Sequence, residues 1–337
     1  MRIRPRNLWL IGLVSITLAG VIAVGCYVNG RSPPPDDRHA TPTRDTSPVA
    51  ARPFLIGDDV RIGAWNIEWL GTPNSRSGPA RGRAQEPNDL AAYIVAARVH
   101  VLGLAEIASD DADGPWTSSI ISRTLRQVSR ETGGQWRHTL YPAHSGRNQV
   151  CGVAWDASRL TPVGDPVLIT RTRRDSSQGK PLWSRPAVGQ LFSAGAGLSD
   201  FLVVMCHNKS DYGGSFAVHR GEEAELFLSE LPAANVDPDI LLIGDMNCQN
   251  SGEPLVQRFV AAGFVNLNHE DIPTHVRYGA LDRAFAPADQ PEFAARHFEV
   301  FSTAFLGDRN LTPEDFKVRF SDHFMVITTI RVMADDD

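Results

Sequence analysis

The chain has 337 residues, of which 42% are hydrophobic and 21% charged, ordinary for a soluble globular protein with room for one large domain or two small ones. Formal net charge is −6, but the first 55 residues hold seven Arg against three acidic residues, so the remainder carries 26 basic and 36 acidic residues, or −10. A body this acidic excludes a wide basic face for coating a polyanion, while leaving room for local handling of phosphates where cations offset its carboxylates. Three of the four cysteines, Cys151, Cys206 and Cys248, fall in that body. Their odd number and strand-like surroundings exclude a disulfide framework and fit small buried hydrophobes.

Arg2, Arg4 and Arg6 precede a nearly continuous apolar, uncharged run over residues 8–28. A basic start followed by such a run is an export signal or a membrane anchor. Ala23-Val24-Gly25-Cys26 resembles a bacterial lipoprotein processing site with Cys26 as the lipidated residue; the alternative is an uncleaved anchor. Either places the main domain outside the cytoplasm, secreted or tethered to the membrane. Residues 29–55, rich in Pro, Ser, Thr, Asp and Arg, read as a disordered tether. The folded body is expected over residues 56–333.

Residues 60–69 (VRIGAWNIEW) read as a strand with Asn66 and Glu68 on one face and Trp65 and Ile67 on the other. A loop over 71–85 and an amphipathic helix over 87–99 follow. Residues 101–107 (VLGLAEI) form a second buried strand ending in Glu106. A carboxylate there needs a partner, either a metal or one of the many arginines. A helix is expected over 116–130, then strands over 136–141 and 150–156. The polar loop between those strands, with Arg147, is placed to touch substrate. Residues 171–180 form a basic, Ser-rich loop, solvated by default. Strands at 191–192 and 201–206 come next, the second running into His207-Asn208-Lys209-Ser210. A helix is expected over 217–231.

The apolar run 240–243 then ends abruptly in Gly244-Asp245-Met246-Asn247. On an extended chain Asp245 and Asn247 point to the same side, which suits a hydrated divalent cation or a phosphate. The alternative is an Asp-x-Asn turn closed by Asx hydrogen bonds. After a helix over 254–262, a short strand over 280–285 carries Asp282. Ser321-Asp322-His323 precedes the apolar run 324–330; an Asp-His pair there can orient an imidazole, or form a turn with an exposed His. No internal repeat, Cys-x-x-Cys pattern, Gly-x-Gly-x-x-Gly or phosphate-binding loop motif is present. Strands outnumber helices, which fits a layered α/β (α+β) domain with largely antiparallel sheets.

Taken in order, WNIEWLG (Asn66), GLAEI (Glu106), HNKS (His207), GDMN (Asp245, Asn247), LDRAF (Asp282) and SDHF (Asp322, His323) resemble the motifs of the endonuclease/exonuclease/phosphatase superfamily. Arg185-Pro186 sits where that family often has Arg-Pro. WNIEWLG and the leader make the chain most similar to secreted deoxyribonuclease-I-like bacterial nucleases. The resemblance implies a four-layer α/β/β/α sandwich of two mostly antiparallel sheets with helices outside and the active site at one end. It implies a metal-dependent phosphodiester hydrolase, in a monomeric catalytic domain, acting on nucleic acid, DNA before RNA. Glu106 would hold Mg²⁺ or Mn²⁺, with Asn66 as ligand or ligand-orienter and Asp322 as a second carboxylate, metal-binding or orienting. His323 would abstract a proton from water with Asp282 on its other nitrogen, Asp245 and Asn247 would position water and phosphate, and His207 would meet the phosphate. Arg147 and Arg185 would contact substrate. Asn148-Gln149-Val150 stands where deoxyribonuclease-I-like enzymes have a Glu supporting the second His, so phosphate binding is the role expected of His207. Hydrolysis of a lipid or small phosphoester is one alternative, and a non-catalytic tethered binding domain is another.

Overall fold

The structure is a computed structural model describing residues 52–111, 116–141, 149–234 and 236–335. The expected leader over 1–28, all but the last four residues of the expected tether, and the loop carrying Arg147 lie outside the described residues. Among the described residues no helix is long and apolar enough to cross a membrane. Phe54, in the stretch read as tether, is buried in the core, so the folded body includes it.

Two six-stranded sheets form the centre. In chain order the first contains β1 (Asp59–Leu70), β2 (Val101–Ala108), β3 (Trp136–Leu140), β4 (Gln149–Asp156), β11 (Phe298–Phe301) and β12 (Met325–Arg331). Its spatial order is β11-β12-β1-β2-β4-β3. The second contains β5 (Thr161–Leu168), β6 (Val188–Ser193), β7 (Asp200–His207), β8 (Ile240–Asp245), β9 (Phe264–Asn266) and β10 (Asp282–Pro287), in the order β5-β6-β7-β8-β10-β9. In each sheet one central pair is parallel, β1 with β2 and β7 with β8, and every other neighbour is antiparallel. Helices α1 (Pro87–Ala97), α2 (Ser119–Thr132), α5 (Thr303–Asp308) and α6 (Pro313–Arg319) cover the first sheet, and α3 (Ala217–Ala234) and α4 (Pro254–Ala261) the second. The four expected layers are present.

Side-chain alternation along the strands sorts the apolar residues into three cores. Ile62 and Ala64 of β1, Val203 and Met205 of β7, and Leu241 and Ile243 of β8 meet between the sheets. Their neighbours point outward: Trp65 and Ile67 under α1 and α2, and Leu202, Val204 and Leu242 under α3 and α4. The three body cysteines are free and buried within these layers, as their strand settings suggested.

The sequence reading places most long elements within a few residues. The helix read from 116 starts at Ser119, because Ser118 caps it by accepting from the Ile121 amide (3.4 Å), and Gly133 ends it with a φ of +72°. It missed β5, β9, β11, α5 and α6. Strand β5 is half exposed and interrupted by Pro162, Gly164 and Pro166, and the others span three to seven residues, too short for a period to show.

Gly244 is the tightest point of the second sheet. Its φ is +141°, and a Cβ there would stand 2.2 Å from the Cys206 carbonyl oxygen of the parallel neighbour. Gly244→Ala should therefore destabilise the protein by about 2–5 kcal/mol. A urea titration would show this as a lower midpoint at unchanged slope.

Candidate active site

One end of the sandwich collects the polar residues, and the strand directions explain why. The parallel strands β1, β2, β7 and β8 finish there, and the antiparallel strands β10 and β12 begin there. The rows that face between the sheets continue past their apolar residues into polar ones: Ile62, Ala64, Asn66; Val203, Met205, His207; Leu241, Ile243, Asp245. Asp282 starts the row that continues with Ala284 and Ala286, directly across the ladder from Asp245. Glu106 has outward parity in β2. A left-handed backbone (φ +61°) and a register shift between Leu104 and Ile107 turn its carboxylate into the cluster.

Asn66 Nδ2 joins the two sheets, donating to Glu106 Oε1 (3.1 Å) and to Asp245 Oδ2 (2.9 Å). Its Oδ1 accepts from the Glu68 amide, so as placed Asn66 orients the two carboxylates. Glu106 Oε2 is fixed by the Trp69 amide (3.1 Å). Asp245 Oδ1 accepts from the Asn247 amide (3.0 Å), and Asn247 has a φ of +54°. The Asp-x-Asn segment is thus an Asx turn whose two polar residues both line the cavity. Asn247 Nδ2 donates to the Asn208 carbonyl (3.2 Å).

His323 is buried rather than exposed, and Ser321 sets it by donating its hydroxyl to Asn66 O (2.6 Å) and accepting the His323 amide (3.1 Å). Its Nδ1 meets Asp282 Oδ2 at 2.8 Å, and Thr274 Oγ1 donates to the same oxygen (2.6 Å). Nε2 faces Asp245 Oδ2 at 3.8 Å. Burial opposes a charge on His323, but Asp282 and Asp245 outweigh it and hold the proton well above the ordinary histidine range. His207 presents Nε2 to Asp245 (3.6 Å) and Glu106 (3.7 Å). Its buried Nδ1 has no partner among the described residues, and Gln149 Oε1 accepts instead from Arg185 Nη1 (2.9 Å). Burial first, then the charges of Arg185 and His323, push His207 well below its usual pKa. It is therefore a neutral donor with no carboxylate behind it.

Asp322 sits beside this cluster. Its Oδ2 accepts from Lys317 Nζ (3.2 Å) and faces His275 Nε2 (3.6 Å). Burial would raise its pKa, but His275, His323 and Lys317 hold it below the usual carboxylate range. Arg185 does not line the cavity; it acts on the site through its charge.

The residues enclose a cavity of about 460 Å³ whose floor holds Glu106, His207, Asp245 and His323. Burial, with the Asp322 charge second, pushes Glu106 up to about 7. Burial, with Asp282 adding to it, pushes Asp245 up to about 6. Two carboxylates, Asp245 buried and Glu106 half-buried, linked by one amide, fit a divalent cation with oxygen ligands. Glu106, His207 and Asp245 offer ligand atoms within 4.8 Å of one another.

No family model matches the chain, and no curated protein does. Solved structures do. An endonuclease/exonuclease/phosphatase family protein from Leptotrichia buccalis superposes with a TM-score of 0.54 at 13% identity, covering 81% of this chain and 99% of its own. The fold is that of the endonuclease/exonuclease/phosphatase proteins. D. rerio TDP2, complexed with a single-strand DNA product, matches with a TM-score of 0.51 at 14% identity over 81% of this chain and 99% of its own. A mannosyl-6-phosphatase from Bacteroides thetaiotaomicron matches with a TM-score of 0.50 at 13% identity over the same shares of the two chains. At such identities the likeness establishes the fold, and the chemistry rests on the side chains.

Sequence reasoning passed over several groups around the cavity. Glu68 leaves the Asn66 face because its φ is +35°, and its carboxylate pairs with Arg76 Nη2 (3.0 Å). Lys317 lies buried under Ser77 and Asp322. His275, bridged to His323, and Tyr278 sit in an irregular loop. The one available signal was Thr-His a few residues before Asp282.

Because a proton competes with a cation for Glu106, Mn²⁺ binding should tighten as pH rises through about 7. The sign follows from a carboxyl whose pKa is raised: it must lose its proton before it can bind. Glu106→Gln should weaken binding by about 10–100-fold or more and flatten its pH dependence. Calorimetric titration with Mn²⁺ between pH 6 and 8 measures both.

Proposed function

We propose that this protein is a divalent-metal-dependent phosphodiester hydrolase acting on nucleic acid. One observation carries the reading: a histidine held by a buried carboxylate, His323 on Asp282, faces the same small cavity as a pair of charge-deficient carboxylates, Glu106 and Asp245. A packed core has no use for that arrangement, and a binding domain that kept only the fold would not need it.

Hydrolysis of a phosphodiester requires an activated water, stabilisation of charge on the phosphoryl oxygens, and departure of an alkoxide. Glu106 and Asp245 would hold Mg²⁺ or Mn²⁺, with Asn66 orienting them; the bound cation supplies positive charge against the phosphoryl oxygens. His323 Nε2 takes the proton of water while its Nδ1–H stays on Asp282. The water oxygen forms the new bond to phosphorus, the bond to the leaving oxygen breaks with its electron pair on that oxygen, and the leaving alkoxide takes a proton from solvent water. With a cation held by Asp245, one of the two carboxylates that keep His323 protonated would be offset, which would let Nε2 release its proton to solvent and act as a base. His207, neutral and sealed at Nδ1, gives one hydrogen bond through Nε2–H to a phosphoryl oxygen. Asn247 and the Asn208 backbone set the adjoining wall. The basic start and apolar run over residues 2–28 support export, with the catalytic body secreted or tethered through that segment.

Purified protein incubated with supercoiled plasmid should nick it only when Mg²⁺ or Mn²⁺ is present. Glu106→Ala and His323→Ala should each abolish nicking in the gel. Asp282→Asn, which keeps shape but removes the charge on the His323 side, should lower kcat by about 10²–10⁴. Absence of cleavage of DNA and RNA under any divalent metal would sink the nucleic-acid reading and turn attention to lipid and sugar phosphoesters.

A further inference from the structure

Tyr278 lines the mouth of the cavity with 63% of its surface exposed. A single exposed aromatic is ordinary, but this one is held. Its amide donates to His275 Nδ1 (3.0 Å), which also accepts the Arg277 amide (3.0 Å). These two bonds place the His275 proton on Nε2, towards Asp322. The His275 ring stacks on Tyr278 with centroids 4.5 Å apart and planes 28° from parallel, and its edge meets His323 at 4.9 Å and 89°. One face of Tyr278 is thus backed by a buried ring that also touches His323, while most of the residue stays exposed at the cavity.

We propose that Tyr278, backed by His275, is a stacking platform for an unpaired nucleobase beside the scissile phosphate, so that single-stranded or locally unpaired nucleic acid, including the unpaired stretches of a supercoiled plasmid, is cut in preference to intact duplex. This rests on the phosphodiesterase reading above. Stacking needs an exposed π-face, which a paired base within a duplex does not offer. It also suits this chain's charge, since a body at −10 beyond residue 55 has little electrostatic grip on duplex phosphates. A second aromatic at the same mouth, Tyr212, is 92% exposed and extends the surface available to neighbouring bases.

The test is steady-state cleavage by the full chain of a labelled single-stranded DNA oligonucleotide and of the same sequence in a blunt duplex. The single strand should be cut with the higher kcat/KM. Tyr278→Ala should raise KM for it by about 5–150-fold, the range for loss of one stacked base, and Tyr278→Trp should restore it. An abasic analogue moved along the oligonucleotide should reveal one position at which the native protein loses the same factor and Tyr278→Ala adds nothing further. Equal cleavage of duplex and single strand, a kcat loss with KM unchanged, or the same Tyr278→Ala loss at every abasic position would overturn the platform while leaving the nuclease standing. Failure of the native protein to cleave any nucleic acid would remove both.

Discussion

Two sheets packed face to face leave only one direction for every second side chain, and that two-residue alternation organises this protein. Inside the sandwich the inward rows are apolar, and at Gly103 the sheets approach closely; a Cβ there would come within 2.5 Å of Met205 Sδ across the interface. At one end the same rows run on into Asn66, His207, Asp245 and Asp282. Those groups are brought together by the registers that bury the core, and shifting any one strand by one residue would turn its polar terminus out to the helices. Stability and site geometry are therefore one constraint. Glu106 is the exception, since it reaches the cluster through a left-handed backbone and a break in its ladder.

The electrostatics of the cluster follow from that enclosure. Asp245 and Glu106 are linked by the neutral Asn66 at the cavity, and Asp282 stands directly across the ladder from Asp245. Protons answer the charge deficit in the absence of a cation: Glu106 and Asp245 are pushed up by burial, and His323 is raised by its carboxylates. His207, which has no carboxylate behind it, moves the opposite way. Two histidines separated by one aspartate are thus held in different protonation states by what stands behind each ring. On the proposed reading, that difference would divide the work between a base and a hydrogen-bond donor.

The end of the sandwich is finished by loops whose side chains carry no pattern of their own. The pairing of Glu68 with Arg76, Lys317 beneath Asp322, and the His275–Tyr278 stack all join residues distant in sequence or set in irregular backbone. They shape the wall around the cavity. Neighbours of this fold include proteins as unlike as TDP2 and a mannosyl-6-phosphatase, so the fold by itself does not fix the substrate.

Much was legible in the chain itself. Apolar runs ending in Glu106, His207 and Asp245 identified buried strands with polar ends, and Asn66 and Asp282 stood out as polar residues within strand-like stretches, because an apolar period and its interruption are local properties of sequence. The layered architecture followed from the alternation of those strands with amphipathic helices. Which oxygen of which carboxylate meets which nitrogen was decided only by tertiary structure. So were the outward parity and inward turn of Glu106, the Asx turn at Asn247, and the place of His275 against His323. The physical reason is that each depends on strand register between two sheets or on backbone in the left-handed region, and neither leaves a periodic trace along the chain. Short elements such as β9, β11 and α5 escaped for a related cause: their stability comes from the body they pack against, not from the residues they contain; α6 is the exception, since its Thr312–Asp315 capping box is written in the sequence.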